Sequence, residues 1–88
     1  MTDGVFIPLT ELIGLKLRET RDVMRLIAGD EYRGRARVVG QIVAAVAKAR
    51  GIDFHAAAIA LAKEAAAAGC RGSMMWLMAA LCDHLEAA

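Results

Sequence analysis

The chain is 88 residues long, 58% hydrophobic and 24% charged, with a formal net charge of +1. That length admits one domain with a thin stability margin, because so short a chain buries only about two-thirds of the surface it exposes when unfolded. The near-neutral balance excludes a partner chosen by bulk charge alone, and no apolar run reaches the roughly 18 residues that a membrane-spanning helix requires.

Residues 1–8 carry neither a basic leader nor a long apolar core, so they do not read as a secretory signal and a cytoplasmic location is expected. Pro8 suits a short extended arm that stops where a helix can begin. From 9 to 28, Leu9, Ile13, Leu17, Met24 and Ile27 recur at near-helical spacing, with charged residues largely between them, which predicts a first helix ended by Gly29. Arg18 and Asp22 stand four apart, the spacing of a helix-surface ion pair.

Asp30 suits an N-cap and Gly51 a stop for a second helix over 31–50, through Tyr32, Val39, Ile42, Val43 and Val46. Ala36, Gly40 and Ala44 form a row of small residues along it, where a neighbouring backbone would approach closely. Asp53 is the expected cap of a third helix, 54–68, ended by Gly69. Its only charges are Lys63 and Glu64, so neighbours are expected nearly all round it. Ser73 is the expected cap of a fourth helix, 74–87. The nine residues from Met74 to Cys82 include the only tryptophan and no strongly polar side chain, which marks the first half of this helix as its buried half.

Few residues suggest chemistry. Ala65, Gly69, Met75 and Met78 fall at spacings a helix-turn-helix would use, but the second helix offers no donors to base edges or phosphates. His55, Cys70, Cys82 and His84 lack metal-ligand spacing, and neither Cys70, Cys82 nor Ser73 stands beside an evident base. No enzyme, metal or cofactor is therefore expected. The two cysteines make no disulfide framework. Arg33, Arg35 and Arg37 are the densest basic cluster, yet Arg35 points away from the face shared by the other two.

These features predict an all-α fold, a small four-helix orthogonal or irregular bundle. Its third and fourth helices are expected at the centre and shared across a two-fold dimer. Phe54, Ile59, Leu61, Met74, Trp76, Leu77, Met78 and Leu81 are the expected core and dimer residues. Arg25, Tyr32, Arg33, Arg35 and Arg37 are the expected contacts to another protein, since arginine and tyrosine combine broad contact surface with directional hydrogen bonds. The expected function is non-enzymatic: a small interaction protein that regulates or inhibits another protein by direct binding, as an adaptor, an antiactivator or a phage-type or other mobile-element inhibitor of a host machine. The alternative is a nucleic-acid-binding regulator using the basic face of helix 2.

Overall fold

Helical periodicity carries through the chain as α1 (Leu9–Ala28), α2 (Tyr32–Arg50), α3 (Phe54–Ala67) and α4 (Arg71–Ala87), with one 3-10 turn, Gly29–Glu31, between α1 and α2. This computed structural model describes residues 9–87, with side chains from Lys16 onward. The arm expected at 1–8 lies outside the described residues. The fold is all-α, with no strand among the described residues. Because α1, the 3-10 turn and α2 follow one another with no non-helical residue between them, the chain makes three helical runs, 9–50, 54–67 and 71–87.

Local chemistry sets the joints. Gly29 adopts φ +57° and turns the chain between α1 and α2. Asp30, the expected cap, lies inside the 3-10 turn, and no side chain caps α2. None is needed there, because the Tyr32 N–H donates to the Gly29 carbonyl and the turn's own backbone starts the ladder. Gly51, at φ +67°, closes α2 with its N–H on the Ala47 and Lys48 carbonyls. Asp53 does cap α3, its carboxylate accepting from the Ala56 N–H at 2.7 Å. Ser73, expected as the cap of α4, sits within that helix, which begins at Arg71; the Met74 N–H donates to the Cys70 carbonyl at 3.0 Å, so the ladder starts earlier than the serine.

The last helix holds the others together. α4 packs on α1, α3 and α2, whereas α1 touches α2 only slightly. Two clusters form the interior: Leu17, Val43, Ala47, Ala57, Ala58, Leu81 and Cys82 in one, and Met24, Tyr32 and Ala79 in the other. The alanines let helix backbones approach but bury little apolar area each. Of the larger side chains among the described residues, only Val43 is fully buried.

Three expectations are corrected by this packing. α3 is not surrounded: Ala57 and Ala58 are buried, while His55, Ala56, Lys63, Glu64, Ala66 and Ala67 face solvent. Nor is the first half of α4 its buried half, since Met74 to Met78 are half-buried and the covered stretch is Ala79–Cys82. Ala79 and Ala80, small enough for a neighbouring helix to approach closely, are both buried. Ile27, read from its spacing as core-facing, is 72% exposed just before α1 ends.

Candidate interaction surfaces

Where α1, α2 and α4 meet, a polar network is built from residues far apart in sequence. Arg21 of α1 is 8% exposed, and its guanidinium donates to Glu86. It also lies 3.3 Å from Asp22 and 3.9 Å from Asp83. Arg25, one turn along α1, reaches the same Asp83 at 3.6 Å. The Tyr32 hydroxyl donates to Asp83 at 2.6 Å. In place of the pair expected between Arg18 and Asp22, Asp22 meets its chain neighbour Arg21 among the described residues.

The environment explains the titration of this network. Burial opposes charge on Arg21, but the hydrogen bonds to Glu86 and Asp22 outweigh it and hold the guanidinium above its ordinary value. Burial pushes the Tyr32 phenol up, and its bond to the Asp83 carboxylate pushes it further. Burial also raises the Cys82 thiol, although Arg21 pulls the other way. Both Cys70, which is exposed, and Cys82, which is buried, are free thiols.

An aromatic column continues from the network to the surface. The Arg25 guanidinium lies 5.3 Å from the Tyr32 ring centre. The Tyr32 ring stacks on Trp76 with centroids 5.5 Å apart and an interplanar angle of 26°. Beyond this contact Trp76 lines two open, mainly apolar grooves that meet along Val39. One, of about 400 Å³, runs past Gly34, Arg35 and Val38. The other, of about 490 Å³, runs past Ile42, Leu61, Ala65 and Leu77. A third apolar groove, of about 260 Å³, is lined by Leu17, Ile59, Met74, Leu77 and Met78.

A wider groove of about 940 Å³ opens on the other side of α2, walled by Arg33, Arg37 and Gln41 and by Asp83, His84 and Phe54. Its floor is the row Ala36, Gly40 and Ala44. This row was expected to receive a neighbouring backbone, but a Cβ added to Gly40 would meet nothing within 4 Å. α2 turns Tyr32, Val43 and Ala47 into the interior instead. His84 stacks on Phe54 with centroids 4.0 Å apart.

The structure thus divides the expected partner-binding residues. Tyr32 is buried at 8% exposure and belongs to the interior, against the expectation that it would face a partner. Arg25 is engaged with Asp83 and Tyr32, and Arg35 pairs with Glu31 at 3.1 Å. Arg33 and Arg37 are exposed on the wide groove and make no ion pair among the described residues. Of the expected core and dimer residues, Leu81 is buried, while Phe54, Ile59, Leu61, Met74, Trp76, Leu77 and Met78 are half-buried.

Sequence reading missed Arg21, Asp83 and Glu86 as a unit. The signal was present: two cations four apart on α1 and two carboxylates three apart at the end of an otherwise apolar helix. Among the described residues no group of three or more His, Cys, Asp or Glu gathers as a metal site would need, and no helix is long and apolar enough to cross a membrane. No protein-family model matches the chain, and no curated protein or solved structure matches it.

Proposed function

We propose that this chain is a small non-enzymatic interaction protein that regulates or inhibits another protein by direct binding, and that it works as a homodimer. One observation carries the reading: the large apolar side chains are left unfinished by the chain's own fold. Val38 and Ile42 are 54% and 52% exposed, and Trp76, Leu61 and Leu77 line open grooves. Contiguous exposed apolar surface of this kind marks association sites, and tryptophan is enriched among the residues that dominate binding energy.

The second surface is the wide groove with Arg33 and Arg37, a basic pair that makes no ion pair among the described residues, on a floor of small residues. It is the better candidate for a different protein, since it combines charge with room for an incoming backbone. The test is affinity capture from the native host with the wild type and with Arg33→Glu/Arg37→Glu. One protein captured by the wild type and lost with the charge-reversed variant, at unchanged helicity and mass, is the expected result. Binding to arbitrary duplex that weakens steeply with salt would instead favour the nucleic-acid reading.

A further inference from the structure

The order of residues along α2 divides the wide groove into two unlike halves. At about 100° per residue, Arg33, Arg37, Gly40 and Ala44 fall within about 60° of one another and form one line over about 16 Å of the helix axis. The first half of that line is basic, and the second half has almost no side chain. Gly40 is half-buried, and a Cβ built on it would meet nothing within 4 Å. The line therefore ends in a pit, in the same groove as the stacked rings of Phe54 and His84.

The charges around the groove are not evenly matched. Arg25, Arg33, Arg37, Asp30 and Asp83 line it, together with His84. Arg25 and Asp83 stand 3.6 Å apart, and Asp83 also accepts from the Tyr32 hydroxyl, so these groups answer one another within the fold. Arg33 and Arg37 make no ion pair among the described residues. The remaining carboxylate, Asp30, lies at the Gly29 end, three residues before Arg33. The middle of the groove is thus basic on one side of an unfilled pit.

We infer that this groove takes an acidic segment of another protein, with its carboxylates on Arg33 and Arg37 and one bulky apolar side chain seated over Gly40 and Ala44. The inference rests on the partner-binding reading above and names the chemistry of the partner. Charge complementarity selects carboxylates, because a guanidinium presents its N–H donors in the planar fork that a carboxylate matches. Two arginines flanked by Asp30 are too short a basic run for a nucleic-acid duplex, whose affinity is summed over many phosphate contacts. The pit adds the selectivity that two exposed cations lack. An acidic segment with only small side chains would leave it wet, whereas a bulky apolar one removes its own surface from water there.

Short synthetic peptides test this, each carrying two glutamates and one phenylalanine at varied spacing and a fluorescent label read by anisotropy. The tightest binders should need both features: glutamine in place of both glutamates, or alanine in place of the phenylalanine, should weaken binding about tenfold or more. Arg33→Glu/Arg37→Glu should do the same. Gly40→Leu fills the pit from within and should abolish binding while the fold is kept, since leucine is the better helix former and its Cβ meets no neighbour. Gly72→Leu makes the same exchange in the first turn of α4, where the added Cβ also meets nothing, and should bind as the wild type does. No binding by any peptide of the set, equal binding by the glutamine peptides, unchanged binding by Gly40→Leu, or preference for duplex DNA over every peptide would each overturn the inference. In the capture experiment above, a host protein lost with Arg33→Glu/Arg37→Glu but kept with Gly40→Leu would leave the partner-binding reading standing and overturn the pit alone.

Discussion

Tyr32 and Asp83, 51 residues apart in sequence, share a hydrogen bond of 2.6 Å in which the phenol donates and the carboxylate accepts. The bond joins the first turn of α2 to the last third of α4, and Arg25 approaches the same carboxylate from α1. Tyr32→Phe removes the donor and keeps the ring against Trp76. Asp83 retains its arginines, so the expected cost is that of one hydrogen bond to a charged acceptor, about 1.5–3 kcal/mol. Urea unfolding at fixed protein concentration measures it. The emission of Trp76, the single tryptophan, should not move.

The same contact makes stability fall at high pH. The Tyr32 phenol is raised above its ordinary value of 10.0, chiefly by burial and then by Asp83. Folded protein therefore keeps a proton that unfolded protein loses from about pH 10 upward, so the contribution is whole below that pH and is lost as pH climbs toward the folded value. Tyr32 is the only tyrosine, and tyrosinate absorbance reports it alone. Absorbance should stay flat through pH 10 and rise together with loss of helicity. An ordinary titration at pH 10 in folded protein would contradict the buried phenol.

Arg21 presents a different balance. Its guanidinium is buried, but Asp83 and Glu86 are 32% and 49% exposed, so water can take over their hydrogen bonds when it is removed. Arg21→Ala is expected to cost about 2 kcal/mol, less than the roughly 3–5 kcal/mol of breaking a wholly buried pair. Arg21→Met restores the apolar stem and should recover about half of the loss. Equal losses for the two variants, compared by urea midpoint, would mean that the stem's packing contributes nothing.

What the sequence disclosed and what it withheld separate by distance along the chain. All-α character was legible because apolar residues recur every three or four positions. The α3 cap was legible because Asp53 and the Ala56 N–H are three residues apart. Tyr32 was misread as a surface residue because its partners, Asp83 and Trp76, lie on another helix. Asp30 was misread for a subtler reason. A side-chain cap is required only where backbone leaves an N–H orphaned, and the 3-10 turn at Gly29–Glu31 had already met that need. Within the candidate site, Arg33 and Arg37 could be placed on one face from spacing alone, and Arg35 with Glu31 is a local pair four residues apart, whereas the engagement of Arg25 with Asp83 depends on the tertiary fold.

The two aspartates give a matched pair of substitutions. Asp53→Ala removes the acceptor of the Ala56 N–H and should cost about 1 kcal/mol. Asp30→Ala removes no capping bond and should stay within about 0.5 kcal/mol of wild type. Thermal or urea unfolding of both variants distinguishes them, and equal effects would mean that the two carboxylates have the same role.

The central position of α4 has a consequence for how the chain comes into being. Residues emerge from a ribosome in order, so α1 is complete while the helix it principally packs on is still untranslated. Until Ala79 to Glu86 have emerged, Met24 lacks Ala79, the cluster around Leu17 lacks Leu81 and Cys82, and Arg21 has no carboxylates of α4 to meet. Nascent α1, α2 and α3 are thus an amphipathic segment with no stable resting place of its own, and cooperative folding waits for the final helix.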